Sequence, residues 1–168
     1  IEAANRALNN SQESGYIAIS DLTDSAMISG STPYDKNHNI GKYKTEHSFL
    51  MTAGTKFVIV FEANGSIQDA ITNPNGGQLI FSLPQANTNH SIQFAQVPGV
   101  DSTGLAFTNS DTFAFEDIAG IASDNDFNDA IIQIKGATGS ATQLDEVINP
   151  ERDWRDFESG RQVLELVG

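Results

Sequence analysis

The sequence contains no cysteine. Disulfides and thiolate metal sites are therefore both excluded. No apolar run approaches the length needed to span a bilayer. Cations are scarce: nine Lys and Arg stand against 22 Asp and Glu, for a formal net charge of −13 and a sequence pI near 4.3. Nucleic acid and anionic membrane surfaces repel such a protein, so neither is expected as a partner and no membrane insertion is expected. A cation or a neutral partner such as a glycan suits it better. Histidine is also rare. His38, His47 and His90 are scattered, and each reads as a surface or hydrogen-bonded residue rather than a base. Neither a Gly-x-Ser-x-Gly elbow nor a metalloprotease His motif occurs.

What is present suits one domain: 168 residues, 39% of them hydrophobic, can bury a sizeable core without staples. The charge is not one block, which argues against wholesale disorder. The chain opens on Ile1 rather than Met and shows no charged-then-apolar leader, as expected of a mature form or an excised segment. Abundant Asn, Ser, Thr and Gly accord with secreted β-rich proteins.

Residues 1–14 read as an N-terminal segment, with a short helix over Glu2–Leu8 or a frayed end. Residues 15–148 read as a β domain. Its expected strands lie in GYIAISDL, HSFLM, TKFVIVFEA, QLIFSLP, SIQFAQV, TFAFE and AIIQI, separated by turn clusters. In TKFVIVFEA, Phe57, Ile59 and Phe61 share one face and Val58, Val60 and Glu62 the other, which predicts a central strand covered on both sides. The expected class is all-β, an antiparallel β-sandwich or jelly roll, with less than about a fifth of residues helical. Residues 149–168 form a tail with the single Trp and with Arg152, Arg155 and Arg161. From Ser159 the pattern predicts one or two helical turns, with Val163, Leu164 and Val167 as an apolar stripe. Trp154 and Phe157 are expected to pack on the domain; docking of a neighbouring module is the alternative.

The chemistry concentrates in FAFEDIAGIASDNDFNDAIIQI, from Phe113 to Ile134. Glu116, Asp117, Asp124, Asp126 and Asp129 fall within fourteen residues with no Lys, Arg or His among them. If the flanking strands pair, Glu116 and Asp117 sit at one lip of the loop and Asp129 at the other. In an extended stretch Asp124, Asp126 and Asn128 project to one side. Two like charges about 4 Å apart repel by about 4 kcal/mol at a protein surface, and a whole fold is stable by only about 5–15 kcal/mol. Relief comes from a fan into solvent, from protonation or from a bound cation. Calcium takes about 6–8 oxygen ligands, and a set of Asp, Asn and Glu disfavours zinc and copper. The expected ligands are Glu116, Asp117, Asp124, Asp126, Asn128 and Asp129. The Asp-x-Asp-x-Asn spacing matches the first half of an EF-hand, but the later positions hold Asp129 and Lys135 instead of Gly and Glu, and the flanks are strands. A solvated acidic loop without a ligand is the other reading.

These residues resemble a known signature. Phe115-Glu116-Asp117, Gly120, the core from Asp124 to Asp129 and the apolar strand behind it are similar to the bacterial family catalogued as domain of unknown function 4114. Upstream, Phe81-Ser82 and the turn from Asn87 to His90 also resemble that family, so the likeness covers roughly residues 48–135. It implies a module of large secreted or surface bacterial proteins, beside calcium-dependent or adhesive domains, and no settled activity. Three functions remain in view. A calcium-binding structural or adhesion module is preferred. A calcium-dependent glycan-binding module is the alternative, with Tyr34, Tyr43 and Phe127 as a candidate apolar platform. A hydrolase would use Glu116 as acid with Asp126 or Asp129 as partner. Such an acid needs an apolar wall, and its neighbours here are acids and Asn, so no turnover is expected.

Overall fold

The computed structural model describes residues 47–66, 79–100, 106–107 and 110–167, with the single positions 18, 69 and 72. The helix expected over Glu2–Leu8 and, apart from Ala18, the strand in GYIAISDL lie outside the described residues. Those described up to Ile80 belong to one compact unit and those from Phe81 onward to another.

Strand β1 (Val60–Glu62) pairs with β2 (Leu79–Phe81) in a two-stranded ribbon. The long strand expected in TKFVIVFEA is thus only three residues, all half-buried. Phe57 and Val58 are exposed, as are Phe49, Leu50 and Met51, and HSFLM forms no strand. Apolar alternation marks residues able to lie in a covered ladder. A partner must still satisfy the backbone, and here that partner is three residues long.

The second unit holds a four-stranded sheet of order β7-β6-β3-β8, formed by β3 (Phe94–Gln96), β6 (Thr112–Phe115), β7 (Ala130–Gln133) and β8 (Thr142–Gln143). A separate antiparallel pair joins β4 (Gly99–Val100) to β5 (Ala106–Phe107). Strand β6 runs antiparallel to β3, with Phe94 opposite Phe115, and to β7, with Phe115 opposite Ala130. The β3–β8 pairing is parallel, so the sheet is mixed rather than wholly antiparallel. The long excursion between these two strands supplies the crossover that a parallel pair requires. Every residue from Gln93 to Val97 is buried, so the strand covered on both faces is β3. Two residues of this buried run, Gln93 just before β3 and Gln96 within it, are glutamines that must be satisfied internally. Gln96 Nε2 donates to the Ser110 carbonyl at 2.5 Å, and Gln93 turns toward the β6–β7 hairpin.

The tail completes this core. Ala95, Val97, Ala114, Phe127, Leu144, Ile148, Trp154 and Val163 form one buried cluster, with Ile131, Val147 and Leu164 packed against it. Helix α1 (Glu158–Val167) sets Val163 and Leu164 into the cluster, as the stripe predicts; the Val167 side chain is outside the described set. Gly160 is required where it is: a Cβ there would lie 1.9 Å from the Trp154 carbonyl oxygen. The described residues are sheet-rich with little helix, compatible with an all-β class, and none of their helices is long and apolar enough to cross a membrane.

Candidate metal centre

The β6–β7 hairpin brings the two lips of the acidic loop together. Glu116 directly follows Phe115, and Asp129 directly precedes Ala130, its register partner. The Asp117 N–H donates to Asp129 Oδ2 at 2.8 Å and closes the mouth of the loop. Gln93, the residue that leads into β3, fixes the other side. The Glu116 N–H donates to the Gln93 carbonyl at 3.0 Å. Gln93 Nε2 in turn donates to the carbonyls of Glu116, at 2.9 Å, and Ile118, at 3.1 Å. With its backbone held from both directions, Glu116 is only 1% exposed.

A buried carboxylate is costly unless hydrogen-bonded. Glu116 Oε1 accepts the Ile118 N–H at 3.2 Å and Oε2 the Phe127 N–H at 3.4 Å. The loop can aim the second bond because Asn125 and Phe127 both take left-handed conformations, at φ 52° and 51°. Asn tolerates that region, but a bulky Phe is a true outlier there. Such strain costs about 1–3 kcal/mol, comparable to the roughly 1.5–3 kcal/mol from burying a Phe side chain. Phe127, 1% exposed within the core, holds the unfavourable backbone in place. The 124–128 stretch is therefore not the plain extended segment its alternation suggests. Burial also removes Phe127 from the proposed sugar platform, which needs an open ring face; Tyr34 and Tyr43 lie outside the described residues.

Among the described residues the carboxylates form two groups of potential ligands, with the atoms of each group within 4.8 Å of one another: Glu116 with Asp124 and Asp126, and Glu116 with Asp117 and Asp129. Either could hold a metal ion, and Glu116 is common to both. Asn128 joins through Asp126: its N–H donates to Asp126 Oδ1 at 3.3 Å and its Nδ2 to Oδ2 at 2.6 Å. Titration reflects the crowding. Burial raises Glu116, against the N–H bonds from Phe127 and Ile118. Asp117 and Asp126 are raised by burial and then by the Asp124 charge. Asp129 is pushed up to about 7, chiefly by burial, with the Asp117 N–H opposing and nearby carboxylates adding.

Two features escape a reading of the loop alone. Gln93 is one; its only sequence signal is a polar residue inside an apolar strand. Arg152 is the other. From a short 3-10 turn in the tail (Pro150–Arg152), its Nη1 lies 2.7 Å from Asp124 Oδ2. The Asn149 N–H anchors that turn to the Asn125 carbonyl at 2.7 Å. The loop, which has no cation of its own, thus meets one from a distant segment, and local spacing carries no sign of it. His90 is exposed at the end of the upstream turn. The organiser of that turn is Asn87, a buried residue. Its side chain bonds both the N–H and the carbonyl of Phe81, at 2.8 and 2.9 Å, and the Ser91 carbonyl at 3.0 Å.

Comparison with known proteins agrees with this anatomy. The model of the family described as Domain of unknown function (DUF4114) matches residues 51–137, more than half of the chain and all of the acidic hairpin. The chain belongs to that family. No curated protein and no solved structure matches it.

Proposed function

We propose that the acidic hairpin binds calcium and that the chain is a calcium-stabilised extracellular module with a structural or adhesion role, secreted or at a bacterial cell surface. The observation that carries this reading is the pair of carboxylate groups sharing buried Glu116. The set is oxygen-only, crowded and held by backbone bonds, which suits a hard cation of high coordination number. Glu116 would serve as the fixed ligand. Asp124, Asp126 and the amide oxygen of Asn128 would close one side, Asp117 and Asp129 the other. The raised titration of four of these groups, chiefly from burial with neighbouring charges adding, supports the same reading, since a bound cation offsets both.

Binding only to the folded state stabilises it by RT ln(1 + [L]/Kd), about 2.7 kcal/mol at a hundredfold excess over Kd. Thermal unfolding in chelator and then in rising calcium is the test. The melting temperature should climb with calcium and much less with magnesium, whose small octahedral shell suits this loop poorly. An unmoved melting temperature together with no heat in calorimetry would reduce the hairpin to a solvated acidic loop.

We further propose that the sheets belong to a β-sandwich or jelly roll, on the support of the short strands and buried β3. The glycan-binding alternative has one favourable observation, a cleft beside the loop lined in part by Ser91, Gln93, Ser123 and Asn125. A glycan array with and without calcium separates it from a purely structural role.

A further inference from the structure

The Arg152–Asp124 contact is a guanidinium seated on one of the carboxylates assigned to the cation. We propose that Arg152 is a built-in competitor: it occupies Asp124 when no calcium is bound and is displaced when calcium arrives. This deepens, and rests on, the calcium reading above.

The geometry sets the competition. Asp124 belongs to the group with Glu116 and Asp126, whose ligand atoms lie within 4.8 Å of one another. Arg152 Nη1 sits 2.7 Å from Asp124 Oδ2. A divalent ion among those three carboxylates is therefore close to the guanidinium, and like charges at that range repel strongly. The yielding member is Arg152. Its side chain is 44% exposed and that of Asp124 39% exposed, so the pair is weak and easily exchanged for water. Glu116 and Asp126 are instead held by backbone N–H bonds.

The turn that carries Arg152 need not leave with its side chain. Asn149 holds it to the loop through its N–H on the Asn125 carbonyl, at 2.7 Å, and through Nδ2 on the Asp124 carbonyl, at 3.5 Å. Arg152 thus stays tethered beside Asp124 at a high effective concentration and re-forms the pair when calcium dissociates. The device lowers calcium affinity without removing a ligand, and it spares the calcium-free loop one uncompensated charge.

The test is calorimetric titration with calcium alone of the full chain and of its Arg152→Gln and Arg152→Lys variants, in chelator-treated low-salt buffer. Arg152→Gln should bind calcium roughly fivefold more tightly, with a slightly lower melting temperature in chelator. Arg152→Lys, which keeps the charge, should stay within about twofold of the unmodified chain. Equal or weaker binding by Arg152→Gln, with clear binding by the unmodified chain, overturns the competitor role and leaves the calcium site standing. No binding by any of the three chains overturns both.

Discussion

Two carboxylate clusters of the second unit show opposite electrostatics. In the tail, Asp153 receives Arg155 Nε at 2.9 Å on Oδ1 and Nη2 at 2.6 Å on Oδ2, and Asp145 Oδ1 lies 2.6 Å from the same Nη2. Burial alone would raise Asp153, but the Arg155 bonds outweigh it and hold the carboxyl below its usual range. Burial likewise opposes the charge on Arg155, and the bonds to Asp153 and Asp145 prevail and raise it. In the β6–β7 loop, burial again comes first, yet Glu116, Asp117, Asp126 and Asp129 all end up raised. Both clusters are partly buried acids with N–H donors. They differ in the cation. The tail cluster is complete within the polypeptide, whereas among the described residues the loop meets an exposed guanidinium, that of Arg152 on Asp124. An acid cluster folded around its own counterion is finished. A cluster whose acids stay raised is, on the calcium reading proposed above, the one that an outside cation would complete.

The largest effect should come from breaking the finished cluster. Arg155→Met strands Asp153, in a pair whose side chains are only 16% and 14% exposed. It should cost about 3 kcal/mol in urea unfolding, as for other half-broken buried pairs. Adding Asp153→Asn should recover part of that loss. A loss within a few tenths of a kcal/mol would mean that Arg155 compensates nothing.

The same kind of change in the loop should have the opposite sign. Asp129→Asn removes a raised carboxylate and keeps an oxygen for the Asp117 N–H. In chelator at pH 8 it should stabilise the protein, by up to about 1 kcal/mol; the residue is exposed as a whole, and solvent screening discounts the rest. It should also blunt the calcium response. Destabilisation in chelator would erase the contrast between the clusters.

The smallest effect is the pH dependence. The loop acids have folded-state pKa values above their unfolded values, so the calcium-free fold holds protons that the unfolded chain releases. Their contribution is fully present below the unfolded pKa and is lost as pH rises through the folded values, up to about 7 for Asp129. Asp153 works the other way: its lowered pKa gives stability present above the unfolded value and lost as pH falls into acid. In chelator, stability should decline by a few tenths of a kcal/mol per pH unit, about, between pH 5 and 7. Saturating calcium should flatten that slope and release protons on binding. A flat chelator profile over this window would show that the loop acids titrate normally, and a rising one that the fold lowers them.

Much of the centre was legible because its signals are local. TFAFE and AIIQI alternate as paired strands do, and the hairpin they form, β6 and β7, must bring Glu116 and Asp129 near each other. The apolar stripe over Val163 and Leu164 pointed to α1 for the same reason. The strand expected in TKFVIVFEA shows the limit: the alternation is there, but burial depends on what lies across from it, and that strand shortened while β3 took the central place.

The sequence by itself determined the charge, the oxygen-only chemistry of the loop and the hairpin that gathers it, since these depend on residue type and on spacing within a few residues. The tertiary structure decided the rest. It made Glu116 the buried member shared by both carboxylate groups, because Gln93, at the entry to β3, fixes its backbone. It placed Phe127 in the core instead of on a binding surface. It brought Arg152 across 28 residues of chain to Asp124. Each of these is a long-range contact, set by which segments pack together, and no local pattern records it.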